Sequence, residues 1–188
     1  MENVLDFVTR RDFRKWLERN HKTAKECYVY VVRGKPDKNS NDLYYIDAVE
    51  EALCFGWIDS TVKKSNGKAY QRFSPRRTGS LWTELNKERV RRLQKLGLMT
   101  EAGEAILPDL NEEFTINDAV RKDIEEAGIM EKFKAFHPLY IRVRAYNLNF
   151  YRTCLPEQYN KVFANFVKQT NQGKMYGNWN DYGRLLDY

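Results

Sequence analysis

The pattern of apolar positions divides the first part of the chain into short helices and strands. Apolar side chains at helical spacing follow a threonine that can cap a helix, which predicts a helix over residues 9–20. The β-branched and aromatic run at residues 27–32 predicts a strand. A second short helical stripe over residues 45–55 ends at Gly56, a residue type that commonly terminates helices.

The clearest local signal in the chain is a β-hairpin. Asn66 and Gly67 lie between two strand-like runs, residues 58–64 and residues 69–73. This dipeptide favours a two-residue type I′ turn because both of its residues tolerate positive φ. The sequence therefore predicts an antiparallel pair of strands with a fixed register.

That register sorts the side chains of the hairpin onto two faces and places Asp59 opposite Ser74. One face can pack against a core and carries Ile58, Val62, Ala69, Gln71 and Phe73. The other face is polar and carries Asp59, Thr61, Lys63, Tyr70 and Arg72. We therefore expect the polar face to be the working surface of the hairpin.

The remainder of the chain has mostly helical periodicity. A helix capped by Thr83 or Asn86 is predicted through Leu96, followed by a short helix over residues 101–107. The predicted helices beyond them cover residues 115–127, 129–136 and 138–154, and a last one begins at Pro156. We predict an α+β fold: a small antiparallel sheet of about three strands with flanking helices in residues 1–110, then a helical unit in residues 111–188.

Composition excludes several classes of protein. Hydrophobic residues make up 42% and charged residues 31%, which is typical of a folded domain. Apolar runs are too short for a membrane span, and residues 1–10 lack a secretory pattern, so we expect a cytoplasmic protein. Two histidines and three separated cysteines are too few for most metal sites, and residues 34–43 lack the glycine of a calcium loop. No metal and no cofactor is predicted.

Positive charge is concentrated in one segment. Residues 59–95 hold 11 basic and 3 acidic residues, a net charge of +8, whereas the whole chain has a net charge of +6. Such a segment is typical of a surface that faces an anion, but a solvated helix and an exposed hairpin would give the same count. In the helix predicted to run through Leu96, the side chains of Arg89, Arg92 and Lys95 are expected on the outer side.

Catalytic chemistry is not indicated by any motif. His21 and His137 have no nucleophile motif beside them, and the carboxylates next to Cys54 would raise the pKa of its thiol. Glu50 or Glu51, together with Asp59, would meet arginines if the short helix packs beside the hairpin. The arginines in question are Arg72, Arg76 and Arg77. This cluster is either a structural ion-pair network, the commoner case, or a polar pocket.

Residues 50–60, EEALCFGWIDS, resemble the YdeI/OmpD-associated family, also called bacteriocin-protection proteins. The run QRFSPRR at residues 71–77 and the glycines and threonine of residues 97–103 support the resemblance, which covers roughly residues 40–105. It implies a bacterial protein linked to bacteriocin or cationic-peptide tolerance and to an outer-membrane porin. It supplies no catalytic residues.

These observations lead to a hypothesis about function. We expect a polar and aromatic pocket that binds an anionic small molecule or anionic group, with arginines as bidentate donors and tryptophan as a stacking wall. The residues of this pocket are Trp57, Asp59, Arg72, Arg76, Arg77, Trp82 and Asn86. The alternatives are a nucleic-acid-binding module, a protein-interaction module, and an enzyme that uses Asp59 or Glu50 as a base.

Overall fold

The computed structural model describes all 188 residues and confirms the α+β fold. Its four strands are β1 (Val4–Leu5), β2 (Cys27–Tyr30), β3 (Trp57–Ser65) and β4 (Lys68–Pro75), in the spatial order β1-β2-β4-β3. The sheet is mixed, because β1 runs parallel to β2 whereas the other neighbours are antiparallel. Strand β1 is two residues long, too short for the sequence pattern to predict it.

Eight α-helices and a 3₁₀ turn accompany the sheet. They are α1 (Arg10–Asn20), α2 (Tyr45–Cys54), α3 (Glu84–Lys95), α4 (Glu101–Glu104), α5 (Asp118–Glu126), α6 (Met130–Lys134), α7 (Pro138–Cys154), α8 (Pro156–Asn171) and the 3₁₀ turn Asp181–Gly183. None of the helices is long and apolar enough to cross a membrane.

Contacts divide the chain into two compact units. The first contains Met1–Leu81, Arg89–Leu110 and Tyr188, and the second contains Trp82–Glu88 and Asn111–Asp187. The first turn of α3 therefore belongs to the second unit.

Local signals set the first helix and the hairpin turn as the sequence predicts. Thr9 caps α1 with a capping box: its hydroxyl accepts from the Asp12 backbone N–H, and the Asp12 carboxylate accepts from the Thr9 N–H. At the hairpin tip, Asn66 has φ of 49° and Gly67 has φ of 74°, as a type I′ turn requires.

A β-bulge interrupts the hairpin beyond the turn. Val62 pairs with Gln71, but Asp59 pairs with Phe73, so β3 uses one residue more than β4 over this stretch. The predicted pairing of Asp59 with Ser74 is therefore wrong. The bulge moves Asp59 to the face of the sheet that carries Phe73, and Arg72 lies on the opposite face.

The face with Phe73 packs against the helices of the first unit. Phe13 of α1 contacts the Phe73 ring with 5.4 Å between ring centres, and both side chains are fully buried. Toward the turn of the hairpin the same face is less covered. Val62 there is 47% exposed, although the sequence places it on the packing face.

Helices α2 and α4 approach closely at Cys54. The Thr100 hydroxyl and backbone N–H both donate to the Cys54 carbonyl oxygen, at 2.6 and 3.1 Å. A Cβ at Gly103 would lie 2.3 Å from the same oxygen, so only glycine fits there.

The second unit has its own core of aromatic and aliphatic side chains. Its fully or nearly fully buried members include Val120, Ile124, Phe133, Tyr140, Leu148, Phe166 and Leu185. The α5 helix starts later than predicted, because Asn117 rather than Thr115 supplies the capping side chain. The predicted start at Pro156 is confirmed.

Candidate functional site

The acidic side of α2 forms a buried ion-pair network. Glu50 is fully buried and binds Nη1 of Arg10 at 3.0 Å and Nη1 of Arg92 at 2.8 Å. The neighbouring contacts are Arg10–Asp47, Arg10–Glu51 and Arg14–Glu51. Burial alone would lower the pKa of Arg10, but Glu50, Glu51 and Asp47 more than offset it, and the pKa lies above its ordinary value. The sequence anticipates a network here, but it predicts different arginines.

This network explains part of the positive charge of residues 59–95, the segment with a net charge of +8. The sequence pattern predicts Arg92 and Arg89 on the outer side of α3, but Arg92 neutralises a buried carboxylate and Arg89 is 7% exposed. That prediction is wrong, because the helix turns these long side chains toward α2 or into the protein. Part of the segment's charge therefore stabilises the fold, and the charge count overstates the surface potential.

Three predicted pocket residues of the sheet are separated by the fold. Trp57 is 1% exposed, its Nε1–H donates to the His21 carbonyl, and its ring contacts Trp16. Asp59 accepts a hydrogen bond from the Tyr45 hydroxyl at 2.7 Å. Arg72 lies on the other face of the sheet.

Arg72 is held by neighbours of its own. Its Nε donates to Glu26 at 2.6 Å, and its Nη1 donates to Ser60 at 3.0 Å. The hydrogen bond to Glu26 raises the pKa of Arg72, and the same bond lowers the pKa of Glu26.

The remaining pocket residues lie in the following loop and in α3. Arg76 is half-buried and donates from Nη2 to the Leu81 carbonyl, whereas Arg77 is exposed. Trp82 and Asn86 belong to the second unit, where the Asn86 backbone N–H donates to the Thr83 hydroxyl. That bond confirms Thr83 as the capping residue of α3.

A cleft lies at the hairpin end of the sheet. Strand β2 pairs with β4 only as far as Tyr30 and Tyr70, and a cavity of about 400 Å³ lies beyond that point. It is lined by Tyr30, Val31, Val32, Arg33, Val62, Gly67, Lys68 and Ala69. We call this cavity the Arg33 cleft.

Arg33 is oriented by two buried or half-buried side chains. Its Nη2 donates to the side-chain oxygen of Gln71 at 2.7 Å, and its guanidinium carbon lies 4.3 Å from the centre of the Tyr45 ring. Gln71 is 2% exposed and is itself fixed, because its Nε2 donates to the Ser60 carbonyl at 3.0 Å. The guanidinium is thus positioned before any ligand arrives, while most of its N–H donors stay unused.

Comparison with protein families shows which family this chain belongs to. Residues 5–106 match the model of a domain of unknown function, DUF8412, over more than half of the chain. The chain belongs to the DUF8412 family. Comparison with curated proteins and with solved structures found no match. The DUF8412 region contains the sheet, the ion-pair network of α2 and the Arg33 cleft.

Sequence reasoning missed Arg33 and Tyr45 as site residues of the DUF8412 region. One signal was present: Gln71 falls on an otherwise apolar strand face, and a buried glutamine requires hydrogen-bond partners. The partner could not be predicted, since Arg33 lies 38 residues away.

A second cavity of about 500 Å³ is lined by His21, Lys22, Thr100, Glu101 and Ala102. The negative charge of Glu101 offsets the positive charge of Lys22 there.

The buried thiols of the DUF8412 region are poor nucleophiles. Burial, followed by the nearby Glu51, raises the pKa of Cys54 to about 12. Burial and Glu26 likewise raise the pKa of Cys27 to about 12. Both thiols are therefore protonated near neutral pH, in agreement with the predicted direction for Cys54.

Proposed function

We propose that the DUF8412 region is a binding module for an anionic small molecule or anionic group, and that the Arg33 cleft is its site. The observation that carries this proposal is the orientation of Arg33 by Gln71 and Tyr45. Arg33 makes one hydrogen bond and no ion pair, so its positive charge is not neutralised by the protein. An arginine held in one geometry at a concave surface is suited to bind an oxyanion.

Lys68 also lines the cleft, but its ammonium group lies on the opposite face of the sheet from Arg33 and Gln71. Its Nζ lies 3.4 Å from a carboxylate oxygen of Asp6 and 4.1 Å from the centre of the Phe7 ring. Its charge is therefore shared with Asp6, whereas that of Arg33 is not. This difference makes Arg33 the primary contact of the proposed anion.

A thermal-shift comparison tests the proposal. Phosphate, sulfate and a series of carboxylates are added to the wild type, to Arg33→Gln and to Lys64→Gln, at low and high salt. Lys64 is an exposed hairpin residue outside the cleft. Each variant loses one positive charge, so Lys64→Gln and Arg33→Gln have the same net charge. We expect at least one anion to raise the melting temperature of the wild type and Lys64→Gln, but not that of Arg33→Gln. Equal stabilisation of all three proteins would contradict the proposal.

Nucleic acid is a second candidate ligand, because of one exposed aromatic ring. Phe7 is 73% exposed with φ of 51°, and its ring centre lies 5.6 Å from that of Tyr30. Exposed rings beside lysines are typical of single-strand binding surfaces. Fluorescence anisotropy with a short oligonucleotide tests this candidate: affinity that falls steeply with salt and is lost in Phe7→Ala would support it.

The wider biological setting stays a set of hypotheses. A link to the YdeI/OmpD-associated family and a role in bacteriocin or cationic-peptide tolerance rest on the motif at residues 50–60. A cationic cleft is unsuited to bind a cationic peptide directly, so such a role would act through an anionic ligand. The cytoplasmic location and a protein partner are likewise predictions from sequence.

A further inference from the structure

We propose that the ligand of the Arg33 cleft is a monocarboxylate with a short aliphatic body, an inference that rests on the proposed function and narrows it. Three features of the cleft support this ligand class: the chemistry of its walls, its net charge and the shape of its cation.

The walls of the cleft are mainly aliphatic. Val31, Val32, Val62 and Ala69 line it beside the two basic residues. Val62 is 47% exposed, which is high for a valine on the packing face of a sheet. A ligand that covers Val62 would remove this apolar surface from water, whereas a small inorganic anion would leave it exposed.

The net charge of the cleft favours a single negative charge. Arg33 contributes one uncompensated positive charge, and the charge of Lys68 is opposed by Asp6. Asp6 also accepts from the Tyr70 hydroxyl at 2.9 Å, so the Lys68–Asp6 pair lies on the Tyr70 face of the sheet, opposite the face of Gln71 and Arg33. A dianion such as phosphate would place its second charge in a cleft with no second cation to neutralise it, which weakens binding.

The planar guanidinium matches a carboxylate in shape. Its parallel N–H donors can bind both carboxylate oxygens at once, which a lysine ammonium cannot do. The cavity volume of about 400 Å³ is at the lower end of small-molecule sites, so the aliphatic body is expected to be short.

Isothermal titration of the full chain with acetate, butyrate and hexanoate tests this inference, with hexan-1-ol and phosphate as comparison ligands. We expect affinity to rise with chain length, by up to about fourfold for each buried methylene group. Hexan-1-ol and phosphate are each expected to bind at least about tenfold more weakly than hexanoate, because each lacks one of the two matching features. In Val62→Ser, hexanoate should lose more affinity than acetate, so the chain-length dependence should shrink. Val62 is half-exposed, so this variant is expected to fold.

The outcomes separate the two proposals. If phosphate binds more tightly than hexanoate and Arg33→Gln abolishes that binding, the monocarboxylate is wrong and the anion site stands. If hexan-1-ol binds as tightly as hexanoate, the carboxylate is not recognised and the inference is overturned. If none of the anions binds, both proposals fail.

The same chemical group also ends a peptide whose last residue is leucine. A tripeptide ending in leucine, with a free or an amidated carboxyl group, distinguishes this source from a free acid. Tighter binding of the free-carboxyl peptide than of 4-methylpentanoate would assign the ligand to a peptide terminus. Equal or weaker binding would assign it to a free acid. Either result supports the shared chemistry, whereas tight binding of the amidated peptide contradicts it.

Discussion

The hydroxyl of Tyr45 donates a hydrogen bond to the carboxylate of Asp59 at 2.7 Å, and this bond joins the first turn of α2 to the bulged part of β3. Burial, followed by the charge of Asp59, raises the pKa of Tyr45 above its ordinary value, so Tyr45 is a donor at all physiological pH values. The same ring lies beneath the guanidinium of Arg33. The bulge and the Arg33 cleft are thus connected through one side chain.

Tyr45→Phe is predicted to lower the free energy of unfolding by about 1 kcal/mol, since it removes this hydrogen bond and keeps the ring. Tyr30→Phe is the matched control, because the structure gives the Tyr30 hydroxyl no hydrogen bond; its effect should stay within about 0.5 kcal/mol. Urea unfolding followed by circular dichroism measures both values. Equal losses in the two variants would contradict the assigned role of the hydroxyl.

Glu50→Gln is predicted to destabilise the first unit by about 3 kcal/mol, because it removes the buried counter-charge of Arg92 and one of the three carboxylates that surround Arg10. Glu18→Gln removes an exposed carboxylate that lies 3.6 Å from Arg14, and it should cost less than about 1 kcal/mol. Urea unfolding distinguishes the two. A loss below about 1 kcal/mol in Glu50→Gln would show that the network is not important for stability.

Gly103→Ala is predicted to destabilise the protein by about 1–3 kcal/mol, because the new methyl group would collide with the Cys54 carbonyl oxygen at the approach of α4 to α2. Ala105→Ser changes an exposed position just after the same short helix and should be nearly neutral. Thermal unfolding of the two variants checks the prediction. A neutral Gly103→Ala would mean that α4 can move away from α2 without cost.

The three cysteines are predicted to react at very different rates. Cys154 is exposed, whereas Cys27 and Cys54 are buried with a pKa of about 12. A disulfide-exchange reagent at pH 8 should label one thiol quickly in the folded protein and three in denaturant, and Cys154→Ser should abolish the fast reaction. Two fast thiols in the folded wild type would contradict the burial of the other cysteines.

Those two buried thiols also give stability a pH dependence at alkaline pH. In the unfolded chain they lose their protons near the ordinary pKa of 9.0, whereas in the folded chain they keep them until about 12. Their contribution to stability is present below pH 9 and is lost as the pH rises toward 12. Cys54→Ala should therefore show a shallower decline in the free energy of unfolding above pH 9 than the wild type shows.

The local features of this fold were accessible from the sequence, and the long-range pairings were not. The Thr9 cap, the turn at Asn66 and Gly67, and the helix start at Pro156 depend on neighbours in the chain, and all three are confirmed. The bulge lies where the Gln71 side chain bonds to the Ser60 carbonyl across two strands, and no hairpin pattern contains that information. One inserted residue was enough to move Asp59 away from Arg72.

In the candidate site, too, the residue type could be predicted from the sequence, whereas the long-range contacts could not. The sequence predicts arginine as the anion donor, but Arg72 is held by Glu26 and Arg76 by the Leu81 carbonyl. The arginine at the cleft, Arg33, comes from the segment that follows β2, and its orientation depends on Gln71 and Tyr45. The motif at residues 50–60 has a structural explanation at several positions, since Glu50, Glu51 and Cys54 form the network and the α4 contact.

Side-chain NMR of the arginines tests the central claim most directly. In the ¹⁵N-labelled protein the Nε–Hε signal of Arg33 is assigned by its absence from Arg33→Gln, and hexanoate and phosphate are titrated separately at physiological salt. The anion-binding account predicts that this signal moves in a saturable way with at least one anion, while the signal of Arg77 stays in place. A stationary Arg33 signal, or equal and non-saturable movement of both signals, would contradict it.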